Sequence, residues 1–483
     1  MKLSKLVSSL DVENTYTDEE ISYITFDSRK CIEGSAFVCM KGEHVDGHDK
    51  VREAIENGAK VIIAQRDTKE KNQIIVKDTK KAYALMCCEF FDNPSKKLQL
   101  IGVTGTNGKT TVAHSIYRFL MLCQRKTSLI GTIKNILPDK VEDSMLTTPD
   151  AFEFNRLLSE AVKLGCEYCV CEVSSQALDL ERTYGCDFEI GVFTNISKEH
   201  LDYHKTMENY IAAKKKLFSQ CKNIVANLDD SYFDALFRDT QANITTYSAQ
   251  NDESFLTAKS IRINERSVDY AAVSYSQIGR VHFNMTGLFS VYNSLAVLGC
   301  ALVLGFDFDE SVSILPLIEP PTGRMEELET GRDFRVIIDY AHTPDGLLNV
   351  LSALGKNKKG RIITVFGCGG NRDKEKRPLM GDIVSQLSDI TIVTSDNPRN
   401  EERESIINDI LDGIGKNKNL DKLKKQVFVR IHRTQAIELA LDLAKKDDIV
   451  LLAGKGHETY QIVGDEKILF DERKKVLSYL AKN

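Results

Sequence analysis

The segment Gly105-Thr-Asn-Gly-Lys-Thr110 constrains the fold of this chain more than any other part of the sequence. It lies between a short apolar run, Leu98–Val103, and a stretch of helical periodicity that continues through Leu122. Glycines allow backbone N–H groups to turn toward a phosphate, the helix N-terminus adds partial positive charge, and a lysine can reach the terminal phosphates. The sequence therefore predicts a phosphate-binding loop between a strand and a helix. Its residues are Gly105, Thr106, Asn107, Gly108, Lys109 and Thr110.

The spacing of this loop departs from the usual Gly-x-x-x-x-Gly-Lys-Ser/Thr pattern, because Val103 stands where the first glycine is expected. A chance Gly-Lys-Thr turn is the alternative explanation. The strand before the loop and the helix after it favour nucleotide binding over that alternative.

Apolar strands alternate with helical stretches along most of the chain, which is typical of α/β folds with helices on both faces of a parallel sheet. Residues 258 to 286 differ, because their pattern predicts antiparallel strands. A turn-rich boundary, Glu319–Gly323, precedes a second alternation, which predicts a Rossmann-like doubly wound domain. At about 150 residues per domain, the 483 residues suggest three domains, at 1–97, 98–320 and 321–483. Met1–Leu10 is predicted to form an amphipathic helix.

The composition excludes several classes of protein. Hydrophobic residues make up 42% and charged residues 28%, which excludes disordered and fibrous proteins. The net charge of −6 argues against a nucleic-acid partner, since nucleic-acid-binding domains usually present a strongly basic face. No apolar run approaches the roughly 18 residues that span a bilayer, so membrane insertion is not expected. The 12 scattered cysteines, including Cys166 and Cys169, predict free core thiols in a reducing, cytoplasmic environment.

Three charged residues after the loop are candidates for phosphate chemistry. Glu172 ends an apolar run and His200 follows another, so both stand where a doubly wound sheet presents its active-site groups. Lys214 begins a run of three lysines on a predicted helix. Taken alone, Glu172 could be a surface charge, His200 a packed loop residue and Lys214 part of a solvated basic face. The shared domain with the phosphate loop favours a functional role for the first two and leaves Lys214 open.

Four polar loops of the last domain each follow a predicted strand. They are Asp339–Asp345, Gly367–Asp373, Asp396–Arg399 and Gly454–Glu458. The carboxyl ends of parallel strands meet at one edge of a sheet, where such folds bind ligands. Guanidinium groups grip carboxylates, and Asp or Glu side chains hold an ammonium. The loops therefore predict a site for a zwitterionic ligand.

The order of these motifs is the order seen in the Mur ligases, and the chain resembles that family from Asp27-Ser-Arg29 to Glu458, essentially its full length. The motifs that carry the resemblance are Gly105–Thr111, Glu172–Ser175, Phe193–Asn195, His200–His204, Gly323–Glu326, Asp339–Pro344 and Asp396–Arg399. The resemblance implies an N-terminal UDP-binding α/β domain, a central ATPase-like parallel-sheet domain and a C-terminal Rossmann-like domain. One departure is Gln176, where many relatives have histidine.

The resemblance implies an ATP-dependent amide ligase of peptidoglycan precursor synthesis, expected to be a monomer. ATP would phosphorylate the D-Glu side-chain carboxylate of UDP-N-acetylmuramoyl-L-alanyl-D-glutamate, and the amine of meso-diaminopimelate would attack the acyl phosphate. Lys109 would neutralise charge in the transition state. Thr110 and Glu172 would serve one Mg²⁺, and His200 and Lys214 another. Since a cationic lysine cannot bind Mg²⁺, the family's lysine carries a CO₂-derived carbamate.

The same resemblance assigns further residues to the substrates. Those for ATP are Asn293, Arg324 and Asp339. Those for the UDP-linked substrate are Ser28, Thr147, Thr148, Ser174 and Arg182. Those for diaminopimelate are Arg372, Asp396, Asn397, Pro398, Arg399, Gly454 and Glu458. In this last set the side chains at 372, 397 and 399 would hold carboxylates, and the carbonyl at 454 and the carboxylate at 458 would take the distal ammonium.

Two other functions remain open from the sequence. A folylpolyglutamate synthase would share the fold and the chemistry, but those enzymes lack a UDP-binding first domain. A phosphate-loop switch or motor would leave the polar loops of the last domain unexplained.

Overall fold

The computed structural model describes residues 1–12, 14–42, 45–415 and 426–482. The chain divides into two compact units, Met1–Thr245 and Thr246–Asn483. This division is coarser than the three domains predicted from the sequence, and the boundaries of those domains stay a prediction.

The first unit opens with a small sheet. Its strands are β1 (Tyr23–Thr25), β2 (Ser35–Val38), β3 (Ala59–Ala64) and β4 (Gln73–Ile75). Its helices are α1 (Leu3–Leu6), α2 (Val51–Glu56) and α3 (Thr79–Phe90). The strands are parallel and lie in the order β1-β2-β3-β4. Asp78 begins α3 by accepting hydrogen bonds from the backbone N–H groups of Lys80 and Lys81.

The N-terminal helix α1 is shorter than the amphipathic helix predicted over Met1–Leu10. Backbone pairing with the segment before β1 fixes an extended start: Leu3 N donates to Glu19 O, and Ile21 N donates to Met1 O, both at 2.8 Å. Only a single helical turn follows. Long-range pairing of this kind leaves no trace in local periodicity, so the prediction was wrong in length.

A second sheet of the first unit carries the phosphate loop. Its strands in this unit are β5 (Gln99–Thr104), β6 (Thr127–Ile130), β7 (Lys134–Leu137), β8 (Lys140–Asp143), β9 (Tyr168–Glu172), β10 (Phe188–Phe193) and β11 (Cys221–Asn227). The helices are α4 (Lys109–Leu122), α5 (Ala151–Lys163), α6 (Ser175–Asp179), α7 (Leu201–His204), α8 (Met207–Phe218) and α9 (Phe233–Phe237). The strand order is β11-β10-β5-β9-β6-β7-β8, parallel from β11 through β6 and antiparallel at β7 and β8.

Strand β5 lies between β10 and β9. The loop that follows β5 is therefore flanked by the carboxyl ends of both neighbours, because the three strands are parallel. This topology brings Glu172, at the end of β9, and the residues after β10 to the phosphate loop.

The second unit begins with β12 (Asn243–Ser248), which crosses the division between the units, and with β13 (Leu256–Ile263), β14 (Val268–Ser274) and β15 (Gln277–Phe283). Strands β13, β14 and β15 are antiparallel neighbours, which confirms the antiparallel pattern predicted for residues 258 to 286. Helices α10 (Leu288–Val303) and α11 (Phe308–Ile314) follow.

The rest of the second unit is doubly wound. Its strands are β16 (Glu326–Leu328), β17 (Arg335–Asp339), β18 (Ile362–Phe366), β19 (Ile390–Val393), β20 (Gln426–Val429), β21 (Ile449–Ala453), β22 (Tyr460–Val463) and β23 (Glu466–Leu469). Its helices are α12 (Pro344–Lys356), α13 (Lys376–Leu387), α14 (Arg403–Gly415), α15 (Arg433–Leu443) and α16 (Glu472–Leu480). The sheet order is β16-β17-β21-β18-β19-β20, with β22 and β23 paired as a separate hairpin.

Alternate strand residues of this sheet face two apolar cores. Ile337 and Leu451 pack with α12, α13 and α14 on one face, and Val336 and Val450 pack with α15 and α16 on the other. Strands β17, β21, β18 and β19 are parallel neighbours, so the four polar loops that follow them meet at one sheet edge. The predicted α/β class, with parallel sheets in both units, is confirmed.

Every cysteine lies in the described part of the chain and is a free thiol. Cys166 and Cys169 belong to the apolar core around β9, as predicted, and burial raises the pKa of both thiols. Within the described residues, no helix combines the length and the apolar character that crossing a bilayer requires.

Candidate active site

The phosphate loop has the backbone that its glycines predict. Gly105 has φ +151°, and a Cβ there would lie 1.9 Å from Thr194 Oγ1, so no larger residue fits. Gly108 has φ +87° and is the N-cap of α4. The loop therefore turns directly into a helix N-terminus, which supplies backbone N–H groups and partial positive charge for an anion.

Asn195 holds the loop and was not assigned a role from the sequence. Its Oδ1 accepts from Asn107 N at 3.0 Å, and its Nδ2 donates to Asn107 O at 3.1 Å. Its backbone O accepts from Thr106 N at 2.7 Å. Because Asn195 follows β10, the neighbour of β5, it ties two adjacent strand ends together. The motif Phe193-Thr-Asn195 was the signal that could have identified it.

Two lysine side chains converge on one carbonyl of the loop. Lys109 Nζ donates to Gly105 O at 2.9 Å and to Thr106 O at 2.8 Å. Lys214 Nζ, on α8, donates to the same Gly105 O at 2.8 Å. Burial and the nearby Lys109 hold the pKa of Lys214 well below its ordinary value. The positive charge of Lys109 beside a phosphate loop is suited to an anionic substrate.

The three successive lysines could have formed a solvated basic face. Lys214 does not belong to such a face, because its side chain is only 1% exposed. The next two lysines are the half-buried surface members of the run. Lys215 pairs with Asp239 at 3.1 Å, and Lys216 pairs with Glu181 at 2.8 Å. The structure thus separates one buried lysine from two that serve the surface.

Tyr210 organises the surroundings of Lys214 and was also missed. Lys214 Nζ lies 4.7 Å from the centre of its ring, and the His200 ring lies 6.1 Å from it. The buried Tyr210 hydroxyl hydrogen-bonds Thr106 Oγ1 at 2.9 Å. The structure therefore brings both His200 and Lys214 close to one aromatic ring, and the hydroxyl of that ring is bonded to the phosphate loop.

Glu172 is buried beside the start of α4. Its Oε2 accepts from Thr110 Oγ1 at 2.7 Å and from Thr132 Oγ1 at 3.0 Å, and its Oε1 accepts from Thr132 N at 2.7 Å. Strand β6 ends at Ile130, and the turn that follows it presents Thr132 to the carboxylate. The carboxylate and the loop hydroxyl that were predicted to share a metal are in direct contact.

The donor set at this point fits Mg²⁺. A carboxylate and a threonine hydroxyl are hard oxygen ligands, and Mg²⁺ typically takes one or two carboxylates together with substrate phosphates and waters. In the described ranges, no group of three or more His, Cys, Asp and Glu side chains is placed to hold a metal.

Four of the residues predicted to bind the UDP-linked substrate surround Glu172. Thr148 Oγ1 donates to Glu172 O at 2.8 Å and accepts from Ser174 N at 3.0 Å. Arg182 Nη1 donates to Thr148 O at 2.7 Å, and Thr147 Oγ1 accepts from Thr132 Oγ1 at 3.1 Å.

Two further positions lie apart from that cluster. Ser28, the fifth residue predicted to bind the UDP-linked substrate, is buried at a short 3₁₀ turn after β1. Gln176, the residue at which the sequence departs from the family resemblance, is exposed on α6. Its side chain is outside the hydrogen-bond network around Glu172.

The residues predicted to hold the adenosine part of ATP lie in the second unit. Asn293 is buried on α10. Asp339 ends β17, and its two carboxylate oxygens accept from Met325 N and Ala341 N, each at 2.7 Å. Burial raises the pKa of Asp339. The Arg324 guanidinium lies 4.6 Å from the centre of the Tyr340 ring.

Two arginines at the sheet edge of the second unit form a cationic pole. Arg399 Nη1 donates to Gly370 O at 2.9 Å, and both Arg399 and the exposed Arg372 flank Gly369. Burial and the charge of Arg372 lower the pKa of Arg399. Two guanidinium groups on one loop edge are suited to a carboxylate.

The acidic pole of the same edge contains an unpredicted lysine. Lys455, fully buried, donates to Glu458 Oε2 at 2.8 Å and to Asn397 Oδ1 at 3.1 Å, and its Nζ lies 3.5 Å from Asp396 Oδ1. Asn397 Nδ2 donates to Glu458 Oε2 at 2.9 Å. Asn397, expected to hold a ligand carboxylate, is thus bonded to Glu458 in this structure.

The predicted residues Gly454 and Pro398 complete this edge. Gly454 has φ +111°, and a Cβ there would lie 2.7 Å from Asp396 Oδ2, so the turn requires glycine. A Cβ on Gly370 would lie only 1.8 Å from Pro398 O. The loops after β18 and β19 are therefore in direct backbone contact. The structure therefore brings the predicted diaminopimelate residues together on adjacent loops.

An ion pair between the buried Arg377 and the half-buried Glu401 connects these two loops. Arg377, with no exposed side-chain area, donates to Glu401 Oε2 through Nη1 and to Glu401 Oε1 through Nη2, both at 3.0 Å. Glu401 also accepts from Asn371 N, next to Arg372. The Arg377 guanidinium lowers the pKa of Glu401 to about 2.

Comparison with known proteins identifies the family. Models of the Mur ligase family catalytic domain, the Mur ligase middle domain and the Mur ligase glutamate ligase domain match residues 20–86, 103–301 and 323–456. The chain is 43% identical over 487 residues to UDP-N-acetylmuramoyl-L-alanyl-D-glutamate–2,6-diaminopimelate ligase 1 of Clostridium acetobutylicum, covering 99% of each chain. It is 43% identical over 492 residues to the ligase of the same name from Clostridium perfringens, again covering 99% of each.

A solved structure of a UDP-N-acetylmuramoyl-L-alanyl-D-glutamate–2,6-diaminopimelate ligase is similar over the whole length. The TM-score is 0.72 at 30% identity, and the match covers 100% of this chain and 99% of that one. Full-length similarity at this level, together with the loop, carboxylate and lysine geometry, leaves one conclusion: the chain belongs to the Mur ligase family.

Proposed function

We propose that this protein is the ATP-dependent ligase that joins meso-diaminopimelate to the D-Glu side-chain carboxylate of UDP-N-acetylmuramoyl-L-alanyl-D-glutamate, in peptidoglycan precursor synthesis. The observation that carries the proposal is the pair of opposite poles at the sheet edge of the second unit. The guanidinium groups of Arg372 and Arg399 suit the distal carboxylate of diaminopimelate, and Glu458 with Asp396 suits its distal ammonium. Relatives at 43% identity over 99% of the chain, which carry this name, support it.

The first step activates a poor electrophile. A carboxylate oxygen of D-Glu attacks the γ-phosphorus of ATP, and the bond from that phosphorus to the bridging oxygen breaks. ADP is released, and the D-Glu side chain becomes an acyl phosphate. Two anions must approach each other, so positive charge is required where they meet. Lys109, on the carbonyls of the phosphate loop, is placed to supply it.

Magnesium supplies further charge neutralisation when it is bound. We assign one cation to Thr110 and Glu172, which are in contact, and a second to His200 and Lys214, which lie close to the Tyr210 ring. The hydroxyl of Thr110 donates to Glu172, which supports a shared role of these two oxygen groups in holding a cation.

The second assignment requires a changed Lys214, because an ammonium cannot bind Mg²⁺. We propose a carbamate: the neutral amine attacks the carbon of CO₂ and releases one proton, which converts a cation into an oxygen-bearing anion. Burial of the side chain and its closeness to Lys109, a second cation, both disfavour the ammonium form. A carbamate would instead place a negative group beside Lys109.

The second step forms the amide. The amine of diaminopimelate attacks the carbonyl carbon of the acyl phosphate, loses a proton, and expels inorganic phosphate. The net products are ADP, phosphate and the amide. Thr148, Ser174 and Arg182 adjoin Glu172 at the end of β9, which supports a role in holding the peptide end of the UDP-linked substrate. Ser28 would contact the UDP-muramoyl part, and Asn293, Arg324 and Asp339 the adenosine part of ATP.

The cellular setting follows from the same proposal. Free core thiols fit a reducing environment, so we assign the enzyme to the cytoplasm. A monomeric state stays a prediction.

An amino-acid panel tests the proposed function. Purified protein is incubated with ATP, Mg²⁺ and UDP-N-acetylmuramoyl-L-alanyl-D-glutamate, and ADP release and product mass are measured with meso-diaminopimelate, with L-lysine and without an amino acid. We expect turnover only with an amino acid and a strong preference for meso-diaminopimelate. Turnover without the UDP-linked substrate would indicate a switch or motor, and polyglutamylation of a folate would indicate the other ligase. Equal use of L-lysine would overturn the substrate assignment alone.

A further inference from the structure

We propose that Lys455 is a positioning residue for amino-acid selection: its buried ammonium orients Glu458 so that one carboxylate oxygen faces the distal ammonium of the incoming amino acid. The proposal rests on the function proposed above. Lys455 follows the strand β21 directly after Gly454, at the centre of the sheet edge where the polar loops meet.

The contacts of Glu458 are asymmetric. Lys455 Nζ and Asn397 Nδ2 both donate to Oε2, at 2.8 and 2.9 Å. Oε1 is therefore the oxygen that remains to accept from a ligand. Glu458 is only half-buried, whereas Lys455 is fully buried, so the lysine anchors the carboxylate from the protein side.

The hairpin of β22 and β23 holds Asn397, which is one of the two donors to Glu458. Asn397 Oδ1 accepts from Lys455 Nζ at 3.1 Å and from Ile462 N at 3.0 Å. Gln461 Nε2 donates to Asp396 O at 2.8 Å, and Arg399 N donates to Ile462 O at 3.1 Å. The amide of Asn397 is thus held at both ends, and the lysine bonds to a rigid partner.

The charge balance favours a single ammonium. Asp396 and Glu458 carry two negative charges and Lys455 carries one positive charge, which leaves one negative charge for the ligand. L-Lysine and meso-diaminopimelate both carry a distal ammonium, so this charge balance does not distinguish them. The two arginines distinguish them, because only meso-diaminopimelate has a distal carboxylate. Lys455 instead separates ligands with a distal ammonium from ligands that lack it.

The discriminating ligand is 2-aminopimelate, which keeps the distal carboxylate of diaminopimelate but lacks its distal ammonium. If Lys455 acts through Glu458, its loss lowers kcat/KM for diaminopimelate and leaves kcat/KM for 2-aminopimelate nearly unchanged. If Lys455 only stabilises the fold, its loss affects both ligands, and ATP, in the same proportion. The ratio of the two kcat/KM values therefore separates a positioning role from a structural one.

The experiment measures kcat and KM for meso-diaminopimelate, 2-aminopimelate and ATP in Lys455→Met, Lys455→Arg and the wild type. The matched control is Lys467→Met, because Lys467 lies over the ring of Tyr460 on the same hairpin but makes no contact with Glu458 in the described structure. We expect Lys455→Met to raise the KM for diaminopimelate at least tenfold, to change that for ATP less than twofold, and to reduce the preference for diaminopimelate over 2-aminopimelate at least fivefold. Lys455→Arg should recover part of that preference, and Lys467→Met should resemble the wild type.

An unchanged preference in Lys455→Met overturns the proposal, as does a proportional loss for all three substrates. If Lys455→Met does not fold, as judged by its thermal transition, Lys455→Leu takes its place with the same expected ratio, since leucine also lacks a donor to Glu458. A wild type that shows no turnover with diaminopimelate refutes the proposed function instead, so the two failures are distinguishable.

Discussion

The phosphate loop of the first unit and the polar sheet edge of the second unit treat charge in opposite ways. At the loop, Lys109 and Lys214 both donate to the backbone carbonyl of Gly105. At the sheet edge, the buried Lys455 lies 2.8 Å from one carboxylate and 3.5 Å from another. The lysines of the loop are thus held by backbone, whereas the charged side chains of the edge are held by one another.

This difference predicts different consequences for mutation. Removing Lys109 from the loop takes away a charge that acts in the transition state, so it should impair the reaction without lowering stability. Removing a charge from the sheet edge leaves a buried partner uncompensated, so it should alter both substrate affinity and stability.

The largest effect is expected at the loop, for Lys109→Ala. We expect activity to fall about 1,000-fold, because a charge that stabilises the transition state is typically worth 100-fold or more. The melting temperature should stay within a few degrees of the wild type. Phosphate release and a thermal melt measure the two quantities, with Lys215→Ala as the surface control. Retention of more than about a tenth of the activity would contradict the phosphate contact.

Lys214→Ala should also lower the activity at least about 100-fold, because it removes the group that we assign to a metal. Short carboxylic acids should restore part of the activity, since they can occupy the vacated position of the carbamate. The measurement is phosphate release against acetate or formate concentration. Lys216→Ala, whose lysine pairs with Glu181 on the surface, should stay active and show no response. Wild-type activity in Lys214→Ala would exclude the metal role.

Much of the loop could be predicted from the sequence, because its chemistry is local. A strand, two glycines, a lysine and a helix start within a dozen residues fix the backbone and the phosphate position together. Lys214 could not be resolved in this way. Three successive lysines look alike in the sequence, and only the packing of α8 buries the first and leaves the other two at the surface.

The support of the sheet edge was less predictable than its ligand residues. The loops that follow strands predicted a ligand site, and the family resemblance assigned Arg372, Asp396, Arg399 and Glu458 to diaminopimelate. Lys455 was present in one of those loops, three residues before Glu458, but its burial and its bond to Asn397, 58 positions away, depend on tertiary contacts that no local pattern encodes. The same reason explains why Asn195 and Tyr210 were missed at the loop.

Arg399→Ala sharpens the comparison at the sheet edge. Loss of the hydrogen-bonded guanidinium should raise the KM for meso-diaminopimelate about 10- to 100-fold. The ratio of kcat/KM for meso-diaminopimelate to that for L-lysine should therefore fall, because L-lysine has no distal carboxylate for Arg399 to bind. The two amino acids are compared by kcat/KM, with Arg403→Ala, a position on α14, as the control. An unchanged ratio of the two values would remove Arg399 from amino-acid selection.

The smallest expected effect is a change in stability, at Glu401→Gln, and it tests whether the sheet edge is preset by its pairs. Arg377 lowers the pKa of Glu401 to about 2 in the folded chain, below the ordinary value of 4.5. A group whose folded pKa is lowered stabilises the protein above its unfolded pKa, and this stabilisation is lost as the pH falls toward the folded pKa. Glu401→Gln should therefore lower the free energy of unfolding by about 2 kcal/mol at pH 7, and the difference from the wild type should shrink by about half at pH 3. Denaturant melts of both proteins across this range measure the difference, and Glu404→Gln on α14 serves as the control. A difference that stays constant from pH 7 to pH 3 would show that the ionised pair with Arg377 does not hold the loops of Arg372 and Arg399 in place.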